Sequence, residues 1–586
     1  MWRTALLASQ GALNRLFRWF SRMAAGSTVD LRTPFFAVRV KGKLQNVPQD
    51  TIVQRFQPIL KAQLAKEGIL GRALIDWEQE HAERVGPMSM FKPWRADGPD
   101  KAKAVFSDKP MLAELDSDAM DRAELRLASL VRAQSVELIS LQDAIDGVGD
   151  DPESGMDTGT NSGLPYVIRP WKDTAENDTG VFGPSESKLC FEYVVDRVQK
   201  LTPVLTEKTW PVTRLPYWHA VSGQRLVQKG IKPYSPKSKR LVIAMPKEEA
   251  VLGKRLTVGV MAALKKATIG GVPIMSAWNP LWYVDEQLQV MLRAAHEAGQ
   301  ALLSGDISNF DATVPPWLLQ RIGRTVAKWV RGGEHYVTNL FNMMIYRTIL
   351  WTPTGSYGPG PSSMKSGSAL TSLGGSLANI LIQFYGEELG LYKIRHLVVL
   401  GDDFVIGGDG VSPENTSTVF SHVGMEANPT KQYYEPKFAQ FLQRLHVLGR
   451  IGGIASAMRT LGSVLSLEKL AVKSKEWNKF AYVVQALSKI QNATFHPAFK
   501  QLVDFIASGD ELHLGSNMSP TDLVSAAGPA AEKIMGEQAR QVWKQLGSGV
   551  GFKDWTVNGV LRKETLPSDF NAFFTRVYGR TPFAGG

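Results

Sequence analysis

The spacing of apolar residues changes period several times along this chain, and each change predicts a different element. Between Gly11 and Gly26, Leu13, Leu16, Phe17, Phe20 and Ala24 recur at helical intervals while Arg15, Arg18 and Arg22 fall opposite; this predicts an amphipathic helix ended by Gly26. From Phe35 to about Leu141 strand-like and helical spacings mix, closing in a long helical stretch around Met120–Leu141. The Gly- and acid-rich segment Gly147–Gly163 predicts a loop and marks a candidate boundary. At Ala301–Asp311, ALLSGDISNFD, a short apolar run predicts a strand with Asp306 at its end. Gly355–Asn379 reads as a Gly/Pro/Ser loop that opens a helix from about Ala369 to Leu389. In His396–Gly407, HLVVLGDDFVIG, two apolar strand halves flank Gly401, Asp402 and Asp403, which predicts a hairpin with two carboxylates at its turn. Residues 466–586 are mainly helical in pattern and finish in an aromatic tail that includes Phe552, Trp555, Phe573 and Phe574. No internal repeat occurs, which excludes solenoids and propellers.

The chain has 586 residues, 44% hydrophobic and 21% charged, a globular composition that excludes a disordered or collagen-like polymer. Length alone would suggest about four modules of roughly 150 residues. The formal net charge of +11 suits a polyanionic partner, although solubility explains such a surplus equally well. Cys190 is the single cysteine, so an internal disulfide and a multi-Cys zinc site are both excluded and an intracellular setting is expected. No apolar run approaches the ~20 residues that span a bilayer, and no secretory signal pattern opens the chain. The Arg-rich helix over residues 11–26 has the pattern of a mitochondrial presequence or a membrane-surface helix; docking on the protein's own body is the preferred reading.

Charge and pattern converge between Lys229 and Lys247, where Lys229, Lys232, Lys237, Lys239, Arg240 and Lys247 occur without an acid and lead into a strand-like Leu241–Met245. Held by a strand and stiffened by Pro233 and Pro236, such bases suit RNA and triphosphate oxygens. Lys239 and Arg240 are placed to neutralise a departing pyrophosphate. If the strand ending at Asp306 lies beside the Asp402 hairpin, their carboxylates converge, and clustered acids repel unless divalent cations bridge them. Two Mg²⁺ ions held ~3.5–4 Å apart clamp the attacking and leaving oxygens of a phosphoryl transfer. Small residues in the loop, Ser366, Gly367 and Thr371, allow a ribose and base to approach closely.

Taken in order, these segments resemble the lettered motifs of a viral RNA-dependent RNA polymerase. Motif F resembles KSKRLVIAMP, A resembles DISNFD, B resembles SGSALTSLGGSLAN, C resembles GDD, D resembles GMEANPTK and E resembles FLQRLH. The small polymerases of double-stranded RNA viruses are the most similar in flavour, picobirnavirus- and partitivirus-like with some cystovirus-like features. The resemblance implies an α+β closed right hand, with fingers, a palm carrying an antiparallel RRM-like sheet, and a thumb. Its expected divisions are an N-terminal extension over 1–165 bridging fingers and thumb, fingers over 166–300, a palm over 301–465 with a fingers insertion before 366, and a thumb with tail over 466–586; NSGLPY at 161–166 resembles the Gly-x-Pro element of the fingers, with plain turn chemistry as the other reading. It also implies roles. Asp306 and Asp402 would be the principal metal ligands, with Asp403 auxiliary; Asp311 would sense the ribose 2′-OH with Ser366 and Thr371; Lys431 would be the general acid for pyrophosphate release. One departure is Gly375, which stands where many single-stranded RNA virus enzymes carry Asn; Asn379, four residues later, is the remaining candidate for sugar contact.

The implied activity is RNA-directed RNA synthesis from ribonucleoside triphosphates with two Mg²⁺ ions, or Mn²⁺ in substitution, for transcription and genome replication. RNA template and product, NTPs and a viral capsid protein are the expected partners, in host cytoplasm or inside a particle. A reverse transcriptase is the alternative enzyme; that class normally shows an aromatic-x-Asp-Asp turn, and Gly401 and Asp311 argue against it. A non-catalytic RNA-binding, capsid-associated protein is the third reading, opposed by the intact carboxylates. The aromatic tail suggests thumb core, or a ring on which a first nucleotide stacks.

Overall fold

The computed structural model describes residues 35–40, 43–84, 94–148, 156, 184–225, 240–427, 432–450, 452–465, 478–511 and 513–531. Their packing forms two units, one made of most described residues between 94 and 442, the other of residues 35–84 and those from 443 onward. Residues on both sides of the Gly147–Gly163 loop belong to the first unit, so compact packing does not divide there.

The first unit is α+β. Its elements are α1 (Ser117–Ser129), β1 (Trp218–Arg225), β2 (Arg240–Ala244), α2 (Lys247–Leu264), β3 (Leu302–Gly305), α3 (Pro316–Trp329), α4 (Glu334–Tyr346), β4 (Thr348–Thr352), β5 (Gly355–Tyr357), α5 (Thr371–Glu388), β6 (Lys393–Leu400), β7 (Asp403–Asp409) and β8 (Tyr433–Glu435). An antiparallel sheet runs in the order β6-β7-β3-β8, and a second sheet runs β2-β1-β4-β5. All four residues of β3 are buried, as an apolar run in mid-sheet requires. Helix α5 packs across the first sheet with Leu373, Leu377, Ile380, Leu381 and Phe384 fully buried, and joins α1 to α4 in one large core.

Two expectations of helix length fare differently. Helix α5 spans Thr371–Glu388, close to the pattern that predicts it. The stretch around Met120–Leu141 does not stay helical: α1 ends at Ser129, Gln134 takes φ +54°, and the Gln134 and Val136 amides donate to the carbonyls of Lys328 and Trp329. Pairing with a distant backbone segment overrides the local helical spacing there.

In the second unit, helices Gln49–Leu64, Gly68–Arg84, Ala457–Leu465, Lys479–Ile490, Phe499–Ser508 and Pro520–Ala527 surround an apolar centre, where the rings of Phe36 and Phe56 each lie 5.0 Å from that of Phe505. Strand Arg444–Val447 pairs antiparallel with Ile454–Ala455. No described helix is long and apolar enough to cross a membrane. The amphipathic stretch at 11–26, NSGLPY at 161–166 and the aromatic tail lie outside the described residues.

Candidate active site

Strand register brings the backbones of the predicted aspartates to one end of the sheet. In the β3–β7 pair, Gly305 stands opposite Phe404 and Ser304 opposite Val405. One step on, Asp306 leaves β3 at the level where Asp403 begins β7, and Asp402 occupies the adjoining turn. Antiparallel neighbours at such a point are ~5 Å apart between Cα atoms, so the register carries the backbone of Asp306 alongside that of Asp403 at the end of the sheet. All three are half-buried.

The turn has a specific geometry. Leu400 pairs with Asp403, leaving Gly401 and Asp402 as a two-residue loop, and Gly401 has φ +59°. That is the pattern of a II′ turn, which takes glycine at its first central position. Helix α5 then grips the loop: the Gly401 N–H donates to Ser376 Oγ at 2.9 Å, and Asn379 Nδ2 donates to the Gly401 carbonyl at 2.9 Å and to the Asp402 carbonyl at 3.5 Å. Ser376 passes its own proton to the Ser372 carbonyl at 2.7 Å. Asn379 is fully buried, and its Oδ1 accepts from Gln383 Nε2 at 3.4 Å. Asn379, expected to contact the ribose, here lies behind the turn with its amide on the backbone that carries Asp402. Ser376 is a functional residue the sequence reading missed, although its i,i+3 spacing to Asn379 puts both on one face.

Gly375, the departure in motif B, is explained by the same contact. A Cβ there would stand 2.9 Å from the Phe310 ring and 3.7 Å from the Gly401 Cα, leaving no room for an Asn. Phe310 follows Asn309, whose left-handed φ of +49° turns the chain after Asp306 into the short helix Phe310–Thr313 that carries the half-buried Asp311.

The motif B loop is locked to the basic strand. The Ile243 N–H donates to Ser366 Oγ at 3.2 Å, and Ala244 bridges Gly367. At Gly367 a Cβ would stand 2.2 Å from the Ile243 carbonyl, so the glycine serves the approach of β2 as well as any ligand. Thr371 opens α5 and donates to the Lys365 carbonyl at 2.5 Å. Glu249, fully buried in the first turn of α2, accepts from Ser368 Oγ at 2.5 Å and from the Ala369 N–H at 3.3 Å. Burial lifts its pKa to about 7, with the Ser368 and Ala369 bonds opposing. Neighbouring Glu248 is also raised to about 7, by burial first. Lys365 is fully buried, its ammonium group donating to Ser362 Oγ at 2.5 Å and to the Ser363 carbonyl at 2.8 Å; burial, aided by Lys109, pushes its pKa well down.

Half-buried Lys247 is the first residue of α2, directly after the basic strand. Lys229, Lys232, Lys237, Lys239 and Lys431, and the side chain of Arg240, lie outside the described residues. Among the described residues no three acidic, His or Cys side chains form a ready-made cage. The donor set is instead a few aspartate oxygens at strand ends. Such hard ligands suit Mg²⁺, which ordinarily completes its shell with water and substrate phosphates.

Comparison with known proteins agrees with this geometry. The sequence profile of the family "Viral RNA-dependent RNA polymerase" matches residues 232–471, which contain β2, β3, α5 and the β6–β7 turn. A potential RNA-dependent RNA polymerase of a human picobirnavirus (strain Human/Thailand/Hy005102/-) is 25% identical over 536 residues, covering 88% of this chain and 89% of the relative. The crystal structure of a human picobirnavirus RNA-dependent RNA polymerase superposes with a TM-score of 0.69 at 21% identity, over 94% of this chain and 96% of that one. Its insertion-loop deletion mutant gives 0.67 at 21% identity, over 91% and 97%. The fold is thus the α+β right-hand polymerase fold, and residues 232–471 match the viral RNA-dependent RNA polymerase family, the chain as a whole being similar to picobirnavirus polymerases.

Proposed function

We propose that this chain copies an RNA template by transferring nucleotidyl groups from NTPs to an RNA 3′-OH, and that it serves both genome replication and transcription. The observation that carries the reading is the β3–β7 register, which sets Asp306 against the Asp402–Asp403 turn.

Asp306 and Asp402, with Asp403 auxiliary, would hold two Mg²⁺ ions, or Mn²⁺. The ions supply charge neutralisation at the reacting phosphate and activation of the attacking hydroxyl. The chain's own groups do the rest. Asp311, with Ser366 and Thr371 beside it in role, recognises the 2′-OH, so that ribose is preferred over deoxyribose. Lys239 and Arg240 hold the triphosphate, while Lys229, Lys232, Lys237 and Lys247 contact RNA or triphosphate oxygens. The 3′-hydroxyl would give its proton to solvent as its oxygen bonds to the α-phosphorus and the bond from that phosphorus to the β-phosphate oxygen breaks, and Lys431 would give a proton to the leaving pyrophosphate. Partners would be RNA, NTPs and a capsid protein, in host cytoplasm or a particle interior.

Purified protein incubated with single-stranded RNA, four NTPs and Mg²⁺ is expected to make complementary RNA, and an Asp402→Ala variant to lose at least about 10³-fold of that rate. Equal incorporation by both proteins, or a requirement for dNTPs, would overturn the reading.

A further inference from the structure

The sheet β2-β1-β4-β5 buries one face and exposes an aromatic one. Parallel pairing sets Trp218 beside Thr348, His219 beside Ile349, Ala220 beside Leu350 and Val221 beside Trp351. Trp218, Ala220, Thr348 and Leu350 are buried, so strand alternation sends His219 and Trp351 to the opposite side. There Trp351 is 36% exposed and Tyr217, directly before β1, is 39% exposed.

The rings form a continuous run. Centroids of Tyr217 and His219 are 6.5 Å apart, those of His219 and Trp351 are 6.2 Å apart with planes inclined by 27°, and the Arg347 guanidinium lies 3.7 Å from the Tyr217 ring centre. Hydrogen bonds fix the arrangement: Trp351 Nε1 donates to His219 Nδ1 at 3.2 Å, and Arg347 Nε donates to the Leu215 carbonyl at 2.8 Å. Burial, then the nearby Arg197, holds the His219 pKa below the ordinary histidine value, which keeps Nδ1 available as an acceptor.

Charge narrows the choice of occupant. Between Glu207 and Glu248 the chain carries no acidic residue, while Lys208, Arg214, Arg225 and the whole Lys229–Lys247 run are basic. Lys208 also lies 4.1 Å from the Trp210 ring centre. Flat rings with the Arg347 guanidinium against one of them complement a polyanion with exposed π faces. Bases of a duplex are covered by their neighbours, and an acidic peptide offers no ring to stack.

Resting on the polymerase reading, we propose that Tyr217, His219 and Trp351, with Arg347, form a stacking platform for unpaired bases of single-stranded RNA, on a different sheet from the one carrying Asp306. The platform reads no base edge; it holds the unpaired part of a template by ring faces and phosphate charge.

The test uses the full-length chain carrying Tyr217→Ala with Trp351→Ala, and a second protein carrying Tyr217→Phe with Trp351→Phe. On a long unstructured RNA template the alanine pair is expected to raise template KM about tenfold, the effect of losing a base stack, with kcat and NTP KM unchanged. The phenylalanine pair should keep the wild-type value, and a short oligonucleotide template should not distinguish the proteins. Wild-type protein photocrosslinked to thiouridine-substituted RNA should yield adducts at Tyr217 or Trp351, a readout that needs no variant to fold. Absence of such adducts, or an alanine pair with unaltered template KM, overturns the platform, as does an equal loss on short and long templates. If wild-type protein makes no RNA, the polymerase reading fails instead; crosslinking and single-stranded RNA binding by anisotropy still decide the platform.

Discussion

The side-chain amide of Asn379 lies 2.9 Å from the carbonyl of Gly401, while the N–H of that glycine donates to Ser376 one helical turn earlier. A single helix thus holds both polar groups of the residue that precedes the turn aspartates. Removing a buried donor leaves that carbonyl unsatisfied, at about 1–3 kcal/mol. Asn379→Ala is expected to lower kcat by about 10- to 100-fold, with little change in NTP KM or in ribose preference. Single-turnover incorporation of NTP against dNTP measures both quantities; a selective gain of dNTP use would return Asn379 to the sugar.

Gly367 is constrained by space. Its virtual Cβ stands 2.2 Å from a backbone oxygen of β2, which cannot rotate away as a side chain can. Gly367→Ala should push the loop off the basic strand, costing about 1–3 kcal/mol of stability and raising NTP KM. Thermal unfolding and steady-state kinetics on one preparation test this; wild-type values in both would show that the loop and strand separate freely.

The chemistry of this chain was legible where it coincides with local pattern. Asp306 ends an apolar run and Asp402 sits between two, so strand, turn and carboxylates could be read from HLVVLGDDFVIG and its partner segment alone. Residues whose role is to hold another element were not legible. Ser376 and Glu249 look like ordinary helix polars, and only the tertiary fold shows one behind the turn and the other beneath the Ser368–Ala369 loop. The same cause misled the reading of residues 130–141, where helical spacing was local but the hydrogen-bond partners, at 328 and 329, were not. Asn379 stands out by its motif, but a motif identifies a residue without saying which way it faces; here its amide meets the Gly401 carbonyl.

Glu249 predicts a pH dependence. Its pKa in the fold is about 7, above the usual 4.5, so the folded state favours the protonated carboxyl. The associated stability is complete below about pH 4.5 and is lost as pH rises through about 7. Glu248 acts in the same direction. Urea midpoints between about pH 5 and 8 should fall for the wild type and fall less for Glu249→Gln, the difference being at most about 3 kcal/mol. Parallel curves would mean that Glu249 titrates normally. Because Ser368 and Ala369 both donate to this carboxylate, Glu249→Ala should also raise NTP KM.

Glu78 in the second unit predicts the opposite slope. Its buried carboxylate accepts from Ser456 Oγ at 2.8 Å and from the amides of Ala457 and Met458 at 2.7 and 3.0 Å, and His496 Nε2 lies 3.1 Å away. Nδ1 of that histidine accepts from the Ala498 N–H at 3.0 Å. Burial alone would raise the carboxyl pKa, but the His496 bond and charge, the Met458 amide and His81 together bring it below the usual 4.5. The stability it contributes is therefore present above about pH 4.5 and lost as pH falls through the lower folded value. Negative charge also suits this position, at the start of helix Ala457–Leu465, where unpaired amides give a positive end. Glu78→Ala leaves those amides and the Ser456 hydroxyl without an acceptor, and should cost about 3–5 kcal/mol near neutral pH. Glu78→Gln should cost less, since its amide oxygen still accepts while its NH₂ faces donors. Thermal unfolding from about pH 2 to pH 7 should show the gap between wild type and Glu78→Ala constant above about pH 4.5 and closing below it; a gap constant over the whole range would mean that Glu78 holds the helix by shape and not by charge.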